Sequence, residues 1–319
     1  MTIVLLAVGL VLTVLGADWL VDGASCIARK AGMSEFVIGL TIVGFGTSCP
    51  ELVVSLTGAF SGNADIAIGN VVGSNIFNVL FILGLTSLLR PVVMTRANRK
   101  VDIPLATAVT IFLLVLAMDH TLFGVGHEDG LSRWKGALLL TVFVLYIVHS
   151  FRTGKDGTQE APTSSAGQRP LAVAILMAVA GLAALVFGGN LFVDKATLLA
   201  RELGVSDKFI AVTVLAGGTS LPELATSLVA VFKGRDQLAL GNILGSNIFN
   251  ILLILGASSL IAPLSFASVT IVDALALLGS MLLLLLWAYT GRRERVDRWE
   301  GAVLLLVFGA YYYYLFINL

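Results

Sequence analysis

Two glutamates stand where a charge is unwelcome. Glu51 lies in VGFGTSCPEL, residues 43–52, and Glu223 in GGTSLPEL, residues 217–224, each one position after a proline inside a long apolar run. If those runs cross a bilayer, a carboxylate at mid-membrane costs about 2.5–3.5 kcal/mol on insertion scales and needs compensation. No Lys, Arg or His lies in the central part of any apolar run to supply it. A neutral, hydrogen-bonded glutamic acid would account for one such residue, but it accounts less well for two at matched positions. A bound cation is the natural counter-ion.

The neighbouring residues fit that chemistry. Thr47 and Ser48 precede Glu51 by four and three positions, which on a continuous helix places them on its face. Pro50 lacks the N–H that would bond the Gly46 carbonyl, and Gly44 and Gly46 loosen the same turn, so carbonyl oxygens are freed beside the carboxylate. Thr219, Ser220, Pro222 and Gly217–Gly218 repeat the arrangement around Glu223. Further along, Ser74 and Asn78 stand four apart, as do Ser246 and Asn250, each pair offering hydroxyl and amide oxygens on one face. Oxygen ligands without imidazole or thiolate make a hard-cation site, which suits Ca2+ or Na+ better than zinc, copper or iron. Ser, Thr, Asn and Gly also mediate helix packing in membranes, so it is their joint recurrence beside both glutamates that carries the reading. Cys49 is no candidate nucleophile, because its counterpart is Leu221 and no His lies within a span.

The elements that position these groups are membrane helices. Of 319 residues, 57% are hydrophobic and 13% charged, far from a soluble composition. Lys plus Arg equals Asp plus Glu at 20 each, so charge gives no sign of a nucleic-acid partner. The N-terminal run lacks a basic start and a cleavage motif and reads as a first spanning helix. Apolar runs of about 20 residues, each enough to cross the hydrocarbon, fall at 3–28, 35–60, 66–89, 102–118, 134–151, 170–200, 207–232, 238–261, 269–289 and 299–317. The expected fold is all-α and integral to the membrane, with ten transmembrane helices.

Residues 16–84 align with 188–256 at a constant offset of 172. GNVVGSNIFNVLFILG and GNILGSNIFNILLILG agree at twelve of sixteen positions, and RWKGALLLTVFVLYIVHSF from Arg133 faces RWEGAVLLLVFGAYYYYLF from Arg298 at offset 165. The chain therefore divides into a first five-helix repeat (1–151), a cytoplasmic linker (152–169) and a second repeat (170–319). Five crossings are odd, so the second copy enters from the opposite side and the repeats are inverted, a recurrent construction in secondary transporters. Fifteen of the twenty Lys and Arg fall in loops after odd-numbered helices, which places the linker inside the cell and both termini outside.

The motifs GTSCPEL and GNVVGSNIFNVLFILG, with GTSLPEL and GNILGSNIFNILLILG, resemble the two alpha-repeats of the calcium/cation antiporter superfamily, in particular the prokaryotic sodium/calcium exchangers. The resemblance implies ten helices, four central ion sites arranged as a diamond, and alternating access in which the first and sixth helices slide against the rest. It implies that Ca2+ is held by Glu51 and Glu223 with backbone oxygens of Thr47 and Thr219. Na+ would share these groups and add oxygens of Ser48, Ser220, Ser74 and Ser246 and the carbonyls of Gly44 and Ala216. Many members have an aspartate at one of the two positions held here by Asn78 and Asn250. With Glu51 and Glu223 alone ionisable, the site carries two negative charges, enough for one Ca2+ or two Na+.

The expected function is secondary active exchange of Ca2+ for Na+ in the plasma (inner) membrane, without enzymatic activity, cofactor, nucleic acid or obligatory protein partner. The alternative within the same superfamily is a proton/calcium exchanger. A cation channel fits poorly because the motifs occur twice in inverted repeats rather than in a symmetric ring. An intramembrane hydrolase would need a His or Asp pair within the spans. Asp18, Asp22 and Asp194, near the ends of the first and sixth helices, are expected to be solvated or to line an access path. His120, His127 and His149 are expected to be solvated, and Tyr311–Tyr314 to form an interfacial aromatic belt.

Overall fold

The computed structural model describes residues 1–62, 64–124, 128–153, 169–203, 216–290 and 294–318. Linker residues 154–168, His127 and the start of the seventh expected span, 207–215, lie outside the described residues. In chain order the helices are α1 (Thr2–Ala31), the bent pair α2 (Glu35–Thr47) and α3 (Cys49–Phe60), α4 (Ile66–Leu89), α5 (Asn98–Ala117), a short α6 (Asp119–Phe123), α7 (Arg133–Arg152), α8 (Leu171–Glu202), α9 (Leu221–Phe232), α10 (Asp236–Ile261), α11 (Ile271–Thr290) and α12 (Arg298–Asn318). Two-residue strands β1 (Val92–Val93), β2 (Gly130–Leu131), β3 (Leu264–Ser265) and β4 (Arg295–Val296) lie in the loops. Among the described residues, eight helices are long and apolar enough to cross a membrane, or nine with the bent pair as one span. α9 is a shorter apolar helix. The protein is an all-α, multi-pass membrane protein.

Two compact units are formed, each from both halves of the chain: Met1–Ser48 with Ser150–Gly245 and Tyr312–Leu319, and Cys49–His149 with Ser246–Tyr311. In the first unit α1 and α8 pack closely. Gly16 faces Gly181 and Leu185, where an added Cβ would come within 2.4 Å of the Leu185 nitrogen, and an added Cβ on Gly181 would come within 2.5 Å of the Leu20 nitrogen. Only glycine allows that backbone approach. Gly9 meets Gly188 while Gly16 meets Gly181, so the helices run antiparallel. Under the offset of 172, Gly9 and Gly16 correspond to Gly181 and Gly188, and the contact is therefore two-fold.

The second unit shows the same logic. β1 pairs antiparallel with β4 (Val92 opposite Val296) and β2 with β3 (Leu131 opposite Leu264). Arg298 donates to the Leu89 carbonyl and Arg133 to the Ile261 carbonyl, each at 3.4 Å, so each arginine caps the C-terminal end of a helix from the other half. The α5 and α11 helices start with reciprocal caps. Thr95 and Asn98 bond one another through backbone N–H and side-chain oxygen, as do Thr270 and Asp273. Tyr311 donates to the buried Asp273 at 2.7 Å, which ties the first residue of the tyrosine run to α11, while Tyr313 is exposed.

Candidate functional site

Glu51 is the third residue of α3 and is fully buried in the second unit. Asn70 on α4 donates its amide to the Glu51 carbonyl at 3.1 Å and to the Ser55 hydroxyl at 3.0 Å. Ser74, one turn further along, donates to Glu51 Oε1 at 3.5 Å. Glu51 is thus held from α4 by two side chains four residues apart, Asn70 on its backbone carbonyl and Ser74 on its carboxylate.

Beyond them, the two GSNIFN segments meet. Asn78 Nδ2 donates to Asn247 Oδ1 at 3.0 Å and Asn250 Nδ2 to Asn75 Oδ1 at 2.9 Å, while Asn75 and Asn247 donate to one another's carbonyl oxygens at 3.2 and 3.4 Å. All four asparagines are buried. Because their amide nitrogens are committed, the Asn78 and Asn250 side-chain oxygens are left buried without a hydrogen-bond partner among the described residues. A buried, unsatisfied oxygen costs about 1–3 kcal/mol. Both asparagines lie in wide π-helical turns, Phe77–Leu83 and Asn250–Leu255, a departure from α geometry that is frequent at functional sites. Ser246, one turn before Asn250, is buried as well.

The first unit holds the matching half of the predicted residues. Glu223 is fully buried in the first turn of α9. Asn242 donates to the Glu223 carbonyl at 3.4 Å and to the Ser227 hydroxyl at 3.0 Å, which repeats the contacts of Asn70 at the offset of 172. Ser48 Oγ donates to Glu223 Oε1 at 3.0 Å, and Thr47 Oγ1 donates to Asn242 Oδ1 at 3.1 Å and to the Gly44 carbonyl at 3.4 Å.

These bonds correct one expectation. The helical path breaks at Ser48 (φ −82°, ψ 6°), as Pro50 requires, so the three- and four-residue spacing to Glu51 does not define a shared helix face. Thr47 and Ser48 serve the second-half residues Asn242 and Glu223 instead. Ser220 shows the same break (φ −87°, ψ 8°) and is buried, with Thr219 half-buried beside it. Ala216 opens the short helix Ala216–Gly218.

Sequence reasoning missed Asn70, Asn242, Ser55, Ser227, Asn75 and Asn247. The available signal was their strict recurrence at offset 172 within and beside the quoted motifs. Of the peripheral acids, Asp194 is exposed as expected. Asp18 and Asp22 are partly exposed and share Lys233, at 2.8 and 2.7 Å, because one turn of α1 brings both carboxylates to the end of α9.

The family described as sodium/calcium exchanger protein matches residues 1–152 and 173–317. The CaxA protein of Alkalimonas amylolytica is 42% identical over 97% of both chains. The sodium/calcium exchanger MaX1 of Methanosarcina acetivorans is 35% identical over 98% of this chain and 97% of its own. Among solved structures, the sodium-calcium exchanger NCX_Mj soaked with Na+ superposes with a TM-score of 0.83 at 32% identity, covering 100% of this chain and 98% of that one.

Proposed function

Since this chain belongs to the sodium/calcium exchanger family and is a cation antiporter, we propose that it exchanges Ca2+ for Na+ by alternating access, the two ions competing for Glu51 and Glu223. The observation that carries this reading is the pair of buried side-chain oxygens on Asn78 and Asn250, left open by the asparagine cross-bonds. Oxygens of that kind suit a dehydrated hard cation. Glu51 supplies charge within reach of Ser74, and Glu223 within reach of Ser48. Ser220, Ser246, Thr47, Thr219 and the Gly44 and Ala216 carbonyls complete the proposed donor set.

Competition follows from charge. Two carboxylates neutralise one Ca2+ or two Na+, and the asparagines add none, so both cargoes cannot be held at once. A third Na+ would leave the occupied site at +1. The proposed architecture is ten helices in two inverted repeats with both termini extracytoplasmic. The antiparallel, two-fold contact of α1 with α8 supports the inverted repeat, as do the paired arginine caps, and the excess of Lys and Arg in loops after odd-numbered helices supports the orientation.

The test is uptake of radioactive Ca2+ into proteoliposomes loaded with Na+, beside vesicles loaded with choline at acidic internal pH. Uptake driven by the Na+ gradient is expected. Uptake driven only by the proton gradient would assign the coupling to protonation of the glutamates and make the protein a proton/calcium exchanger.

A further inference from the structure

At one end of the second unit, the β1–β4 pairing and a bond from the Met94 N–H to the Glu294 carbonyl at 2.7 Å lay residues 89–94 beside 294–299. Between them opens a surface cavity of about 530 Å³ lined by Pro91, Arg295, Asp297, Arg298 and Trp299. Its walls are fixed. Arg295 Nε pairs with Asp297 at 2.7 Å, Arg298 is anchored on the Leu89 carbonyl, and the Trp299 ring stands edge-on to the buried Trp287 at 5.8 Å between centroids.

A guanidinium has five N–H donors, so each arginine keeps donors beyond its one contact with the protein. Two arginines against one aspartate leave the lining net positive. Trp299 lies in the first turn of a spanning helix and remains 58% exposed, and the neighbouring Leu89 and Val93 are exposed too. An exposed tryptophan at that position marks the headgroup level of a bilayer. Two arginines at that level present the forked donors that bind phosphate oxygens.

We propose that this cavity is a binding site for the phosphate of an anionic phospholipid headgroup, with Arg295 and Arg298 on the phosphate and Trp299 at the glycerol level. The proposal stands independently of the transported ion. It is tested by native mass spectrometry of the full chain titrated with phosphatidylglycerol or phosphatidylcholine, with inorganic phosphate as soluble competitor. Phosphatidylglycerol should be retained in preference to phosphatidylcholine, and inorganic phosphate should not displace it. Arg295→Gln and Arg298→Gln should each weaken that binding about fivefold. Arg133→Gln, which removes the equivalent helix cap far from the cavity in sequence, should leave it unchanged. Arg295→Gln does not touch the cap on Leu89, so it remains informative if Arg298→Gln fails to fold. Equal retention of the two lipids, or wild-type affinity in Arg295→Gln, would overturn the proposal. Displacement by inorganic phosphate would show a site for a soluble phosphate instead and overturn it equally.

Discussion

Each glutamate carbonyl is held by an asparagine that also grips a serine one helical turn beyond the carboxylate: Asn70 for Glu51 and Ser55, Asn242 for Glu223 and Ser227. These asparagines fix the turn that aims the carboxylate. Asn70→Ala should lower stability by about 1–3 kcal/mol, because it removes two part-buried hydrogen bonds, and should weaken apparent Ca2+ affinity, whereas Cys49→Ala should leave transport intact. Thermal unfolding and uptake at varied Ca2+ check both, and unchanged Ca2+ affinity in Asn70→Ala would deny it the positioning role. The glutamates were legible because a charge in an apolar run is costly and the offset of 172 pairs them. Asn75 and Asn247 were not, since their bonds run between distant parts of the chain and leave no trace in local spacing. The face assigned to Thr47 and Ser48 failed for a different reason. Spacing rules presume an unbroken helix, and the proline that pointed to the site also breaks it.

At the scale of elements, the α1–α8 contact depends on glycines that face backbone, while Gly73 on α4 has nothing within 4 Å of an added Cβ. Gly16→Ala should therefore destabilise the protein markedly and lower its melting temperature. Gly73→Ala should be neutral or stabilising by up to about 1 kcal/mol through helix propensity. Equal melting temperatures for the two variants would contradict the close packing. Lys233 joins α1 to the end of α9 through Asp18 and Asp22, but the groups are partly exposed. Lys233→Met should cost no more than about 1 kcal/mol, read from the same melting experiment. Among the described residues, the eight long apolar helices and the bent pair were legible from run length to within a few residues. The β1–β4 and β2–β3 pairs were not, since two-residue strands carry no periodicity and form only because their flanking helices bring the loops together.

At the scale of the whole molecule, the sequence repeat reappears as two-fold contacts inside each compact unit, Gly9 with Gly188 and Gly16 with Gly181 in one, Asn78 with Asn247 and Asn250 with Asn75 in the other. The proposed inverted five-helix repeats would place the linker opposite the termini. In a background with Cys26 and Cys49 replaced, a cysteine at Ser164 should react with an impermeant thiol reagent only from the cytoplasmic side. Labelling of intact cells from outside would reverse the proposed orientation.

The central claim is that Na+ and Ca2+ compete for the carboxylates of Glu51 and Glu223. Its most direct test is Na+-gradient-driven uptake of radioactive Ca2+ by proteoliposomes of the wild type, Glu51→Gln and Glu223→Gln at matched protein density. Each substitution removes half the charge that holds the ion while keeping the side-chain shape. Each should lower uptake at least about 30-fold, in keeping with the loss of one partner from a buried charge pair. Uptake within twofold of wild type in either variant would contradict the claim.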